Sequence, residues 1–167
     1  MIRHILALMA TVILAGCGMA TNLRGPAELG VPEAIGDWTV SNVTSIPGTD
    51  FGNTMAEFAS VFLEAAGATS TTGTWATFEV RDGGVLVTRV DAFRVIGAGP
   101  EAMWRGADAI GFGDAAIEGT TPAGWDLRRM GDGSGWIAVR NDRLFTFSGG
   151  PPGPTSGQVQ RFLESLK

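Results

Sequence analysis

The chain has one cysteine, one histidine, one lysine and no tyrosine among its 167 residues. These are Cys17, His4 and Lys167, so the stretch from Gly18 to Leu166 lacks all four residue types. That stretch can carry no Ser-His-Asp or Cys-His catalytic group and no zinc site built on histidine or cysteine. It has no side chain whose unperturbed pKa falls between about 5 and 8. It can form no disulfide, so its stability has to come from an ordinary apolar core. No cofactor and no metal site are expected. About 150 residues suffice for such a core, since a chain of that length buries roughly 68–70% of its unfolded surface in a single domain.

Positive charge is also scarce. Twelve basic residues stand against seventeen acidic ones, and eleven of the twelve are arginine. A net charge of −5 offers no footing for nucleic acid or for polybasic attraction to anionic lipid.

What the chain does have is an apolar start. The run Ile5 to Cys17, "ILALMATVILAGC", carries no charge and ends on the only cysteine. It is too short to span a bilayer, which takes about 20 apolar residues, and it has the layout of a signal peptide. Arg3 and His4 form the basic start, Ile5 to Leu14 the apolar middle, and Ala15 and Gly16 the small residues before a cleavage point. Leu14, Ala15, Gly16 and Cys17 resemble the lipobox of bacterial lipoproteins. The resemblance implies cleavage before Cys17, a diacylglycerol thioether on its sulfur and a further acyl group, such as palmitate, on the new amino terminus. Cys17 would then be a lipid attachment point and not a reagent. Two or three acyl chains hold a protein stably where one holds it marginally. A domain anchored this way is extracytoplasmic, on the cell membrane or the outer membrane. Gly18 stands where typical Gram-negative lipoproteins retained at the inner membrane have Asp. Removal of the leader takes His4 and Arg3 with it and leaves eleven basic against seventeen acidic residues, a net charge of −6.

The expected division is a signal peptide over residues 1–16, lipidated Cys17 and linker over 17–36, and one α+β domain over 37–167. Within the linker, Met19 to Pro32 has two glycines, two prolines and no period, so it reads as a flexible tether with a reach of about 20 Å. A strand is expected over Asp37–Val43 and a loop over Thr44–Asn53. A helix follows, opened by a Thr54/Glu57 capping box, with Met55, Phe58, Phe62 and Ala65 on one face. Strands over Trp75–Arg81 and Val85–Ile96 flank an Asp82-Gly83-Gly84 turn. Pro100 starts a short helix with Met103, Trp104, Ala107 and Ile110 inward. A strand near Ala115–Gly119 and a hairpin of Trp125–Met130 with Trp136–Arg140 come next. Thr155 and Gln158 then cap a last helix whose stripe is Val159, Phe162, Leu163 and Leu166. "VRDGGVLVT" and "VRNDRLFTF" both read strand, tight turn, strand, a weak internal repeat. Strands joined by tight turns without βαβ alternation predict α+β: an antiparallel sheet covered by helices. This element order is similar to the three-layer fold shared by the Mog1 and PsbP families and certain actinobacterial lipoproteins.

Three constellations are candidates for chemistry. In "RVDAFR", Arg89, Asp91 and Phe93 share one strand face and Val90, Ala92 and Arg94 the other, so Asp91 is a ligand-binding carboxylate oriented by Arg89, or part of a paired strand face. In "WDLRRM", Trp125, Leu127 and Arg129 share one face and Asp126, Arg128 and Met130 the other. One of the two arginines must then point to the helix layer, where it needs an anionic partner or takes an anion. "GDGSG", Gly131 to Gly135, lacks the lysine of a phosphate loop and the spaced acids of a calcium loop, and reads as a hairpin turn. The tryptophans are expected in the core, with Trp75 and Trp136 open to a partner.

Two functions fit. One is a non-catalytic domain that binds an envelope protein or a small ligand in the crevice between sheet and helices, with Arg128, Arg129, Trp125, Asp126 and Asp91 as contact candidates. The alternative is a carboxylate-dependent envelope hydrolase using two of Asp91, Glu118 and Asp126 about 5–10 Å apart across an open cleft.

Overall fold

The computed structural model describes residues 25–42, 51–69, 71–149 and 153–166. The expected signal peptide, Cys17, the first part of the expected tether, Val43, residues 44–50 of the expected loop, and the prolines at 151 and 152 lie outside these. Pro26–Leu29 is a single 3-10 turn, followed by β1 (Ala34–Ile35), β2 (Trp38–Asn42), α1 (Phe51–Ala65), β3 (Gly73–Asp82) and β4 (Val85–Val95). Then come α2 (Pro100–Ala107), a π turn (Asp108–Phe112), β5 (Ala116–Thr120), β6 (Asp126–Arg129), β7 (Trp136–Arg140), β8 (Arg143–Ser148) and α3 (Ser156–Glu164). The strands form one sheet in the order β1-β2-β3-β4-β8-β7-β6-β5, every neighbouring pair antiparallel. The fold is the expected α+β arrangement.

Strand alternation sends two apolar sets to opposite faces. On one face Ala76, Phe78, Val90, Ala92, Leu127, Ala138, Phe145 and Phe147 meet Val159, Phe162 and Leu163 of α3 and Leu166 just beyond it. On the other Trp75, Phe93, Val95, Ile137, Val139 and Leu144 meet α1 and α2 through Phe62, Leu63, Met103 and Ala107. Phe62 stacks on Phe93 with ring centroids 4.1 Å apart. Gly106 lets α2 come close, because a Cβ there would stand 2.7 Å from the Phe62 ring. The central strands are therefore buried on both sides: on β3, Ala76, Phe78 and Val80 face the α3 side, and Trp75 and Thr77 are buried on the other.

Turn chemistry closes the hairpins. Gly83 and Gly84 both take positive φ (53° and 89°) between β3 and β4, and Asn141 does so (54°) between β7 and β8. The two hairpins pair through β4 and β8, yet α2 and α3 cover opposite faces, so their likeness is local to the turns. The Thr155/Gln158 capping box forms as expected.

Three expectations are corrected. The domain starts earlier than residue 37: Leu29, Val31 and Ile35 are buried in the core on the α3 side, so the segment Pro26–Ile35 is packed structure and not tether. Helix α1 begins at Phe51, which puts Thr54 inside its first turns and not at its cap. Trp75 and Trp136, expected at the surface, are 3% and 8% exposed. Both stand near the start of strands whose two faces are covered, a property that flanking glycine and threonine do not reveal.

Candidate functional site

Four of the five tryptophans carry an arginine: Arg128 over Trp104 at 3.6 Å, Arg161 over Trp38 at 4.1 Å, Arg140 over Trp125 at 4.5 Å and Arg129 over Trp136 at 5.4 Å. The tightest marks the corner where the Trp104 side chain of α2 reaches β6. Trp104 is brought there by the Pro100 start of α2, and Asp126 and Arg128 by alternation on β6. Trp104 Nε1 donates to Asp126 Oδ2 at 3.0 Å, and an Arg128 nitrogen lies 3.9 Å from the same oxygen. Arg128 thus points to the helix layer, as one of the two adjacent arginines had to, with Asp126 as its anionic partner and the indole as a second one. Its Nε is buried and has no acceptor among the described residues. Arg129 leaves on the opposite face and is exposed. Trp125 is fully buried beneath Phe145 and Arg140 and is removed from the contact candidates.

A second polar group crosses the sheet on the same face as Arg128. Register aligns Thr77, Asp91 and Thr146 on β3, β4 and β8. Thr77 Oγ1 donates to Asp91 Oδ1 at 2.9 Å and Thr146 Oγ1 to Asp91 Oδ2 at 3.4 Å. The two threonines are 4% and 1% exposed. Arg89 does not orient Asp91, as the strand pattern had suggested. It donates to Glu79 Oε1 at 2.9 Å, while Arg81 holds Glu79 Oε2 at 2.6 Å. Hydrogen bonds from Arg89, with those from Arg81, keep the Glu79 carboxyl below its ordinary range. Burial pushes Asp91 the other way, above the ordinary carboxylate range, against the opposing hydrogen bonds of Thr77 and Thr146 and the charge of Arg89. Glu79, Thr77, Thr146 and Trp104 were not legible as a group, since only register and helix packing bring them together.

The three acidic residues of the hydrolase reading do not converge. Asp91 and Asp126 stand on β4 and β6 with β8 and β7 between them, three spacings of about 4.8 Å, and the register offsets them by two further residues, so they are more than about 14 Å apart. Glu118 lies on the exposed edge strand β5. The Gly131–Gly135 loop is the expected turn, with Asp132 Oδ1 accepting from Ser134 N at 2.9 Å and Ser134 Oγ at 2.7 Å. Among the described residues no group of three His, Cys, Asp or Glu is placed to hold a metal ion, and no helix is long and apolar enough to cross a membrane. Comparison of the chain with protein-family models, with curated proteins and with solved structures found no match.

Asp91 makes the stability of the protein depend on pH with a definite sign. Its folded-state pKa lies above the usual 3.8, so its contribution to stability is complete below that value and is lost as pH rises through the raised pKa. Asp91→Asn keeps the shape and removes the charge. At neutral pH the variant should melt at or above the wild-type temperature, and the gap should close on acidification to about pH 4. Melting curves of both proteins across that range test this. An Asn variant less stable than wild type at neutral pH would show that the fold requires the charged carboxylate.

Proposed function

We propose that the chain is a membrane-anchored lipoprotein of the cell envelope, held through lipid on Cys17 with its domain on the extracytoplasmic side. The domain is a non-catalytic binding or accessory module for an envelope protein or a small ligand. The observation that carries this reading is the uncharged run from Ile5 that ends in Leu14-Ala15-Gly16-Cys17 on the sole cysteine.

The domain's own composition and layout support it. The described packed structure already includes Pro26, so only residues 18–25 intervene between Cys17 and that turn. Even fully extended, they span about 30 Å, which would keep the domain close to a membrane. Its acidic groups near the sheet centre are engaged by arginine, threonine or tryptophan and are not poised across a cleft. The contact region best suited to recognition is the Trp104, Arg128 and Asp126 corner, because an arginine stacked on an indole presents both charge and apolar area.

The anchor is tested by Cys17→Ser in cells fed a fatty-acid probe. The wild-type chain should be labelled and should have lost its leader, whereas the variant should be unlabelled and keep it. A wild-type chain that retains residues 1–16 and carries no lipid overturns the proposal.

A further inference from the structure

The two edges of the sheet are finished differently. At one, β1 is two residues long, and the Val40 amide on β2 donates to Glu33 O at 3.0 Å. At the other, β5 is exposed along its whole length and, among the described residues, pairs with β6 alone. Its outward N–H and C=O groups form an open ladder. Ile117, in the middle of that edge, is 74% exposed, the most of any large apolar side chain among the described residues.

The register of β5 on β6 fixes where its side chains lie. Ile117 is opposite Arg128 and shares its face, while Ala116 is opposite Arg129 on the other face. A bulge puts Glu118 and Gly119 together opposite Leu127, so Glu118 leaves the strand on the Arg129 face. Glu118 and Arg129 are both exposed, and neither has an ion-pair partner among the described residues.

We propose that β5 joins two copies of the chain, paired antiparallel about a two-fold axis through Ile117. The two eight-stranded sheets become one continuous sheet. A two-fold contact must be self-complementary, and this register meets that demand. Ile117 meets the second copy's Ile117, and Ala116 stands opposite the second copy's Glu118. Arg129, which lies over Trp136 on the β7 side in the single chain, turns across the methyl group of Ala116 to reach that carboxylate. Two strand spacings, about 10 Å, separate β6 from the second copy's β5, within the combined reach of an arginine and a glutamate side chain. The symmetry makes two such ion pairs. Centring the axis on Glu118 instead would set carboxylate against carboxylate, so Glu118 and the bulge, devices that normally discourage edge pairing, here select one register. The contact does not rest on the lipid anchor.

Ile117→Cys tests the axis in the full chain in its native membranes. Directly opposed Cβ atoms in an antiparallel pair stand about 4.5–5.5 Å apart, close enough for a disulfide after a small adjustment. Mild oxidation should give a reducible covalent dimer with Ile117→Cys and none with Ile96→Cys, an exposed site away from β5. Adding Glu118→Arg should abolish the cross-link, and combining it with Arg129→Glu should restore it. The wild-type chain, with Cys17 alone, is the control: a dimer there reports an unlipidated thiol and bears on the anchor, not on β5. The proposal is overturned by equal yields at 117 and 96, by no cross-link at 117, by a yield indifferent to Glu118→Arg, or by a charge-swapped pair that stays monomeric.

Discussion

Phe162→Ala should lower the melting temperature by about 10–20 °C, the expected consequence of losing about 3–5 kcal/mol of core packing in a domain of this size. Phe162 is 1% exposed and sits where α3 crosses the sheet. Its ring touches three others, Phe147 at 5.2 Å, Phe145 at 5.7 Å and Phe78 at 6.0 Å between centroids. Those partners come from β8 and β3, so truncation leaves a cavity that no single element can fill by shifting. Leu166→Ala removes less area at the helix end and should cost about 2–3 kcal/mol. Thermal and urea unfolding of both variants measure these losses. A melting temperature unchanged in both would mean that α3 is not part of the core.

Gly135→Ala should be at least as damaging, although it adds a single methyl group. A Cβ at position 135 would stand 2.2 Å from the backbone oxygen of Phe147 and 2.9 Å from Met130 Sδ. A flexible side chain can yield, whereas the Phe147 carbonyl belongs to β8 in the middle of the sheet and cannot move without breaking its ladder. Overpacking of this kind costs about 1–3 kcal/mol where the surroundings relax and more where they do not, so a loss above about 3 kcal/mol is expected. The neighbouring Gly131→Ala is the comparison, because its nearest obstruction is the side chain of Asp114, which can turn away. Similar unfolding midpoints for the two variants would mean that β7 and β8 separate more readily at Gly135 than their pairing implies.

Much of the fold is legible in the chain because the signals are local. The Thr155/Gln158 box and the Val159, Phe162, Leu163, Leu166 stripe mark α3 at both capping and packing level. The diglycine at 83 and 84 marks a hairpin because only a residue free of a Cβ takes two successive positive φ angles cheaply. Strand alternation alone is enough to assign Arg128 and Arg129 to opposite faces. Local signals failed where neighbours distant in sequence decide the outcome. Pro26–Ile35 has a composition typical of linkers, yet it closes the α3 side of the core. Trp75 and Trp136 have small or polar flanking residues, yet both lie inside.

The sequence by itself determines the chemistry available to this domain. From Gly18 to Leu166 there is no histidine, cysteine, lysine or tyrosine, so the ionisable side chains of this stretch are carboxylates and arginines wherever it folds. Which of those groups meet is decided only in the tertiary structure. Thr77, Asp91 and Thr146 come from three strands and are aligned by register. Trp104 reaches Asp126 and Arg128 because α2 packs over β7 and β8 and its indole extends to β6, a contact across 22 residues of chain. The reason is physical: residue type fixes what a side chain can donate, accept or ionise, whereas desolvation and hydrogen bonding depend on neighbours that the fold supplies. Asp91 shows both halves, an ordinary carboxylate by sequence and a buried acid by position.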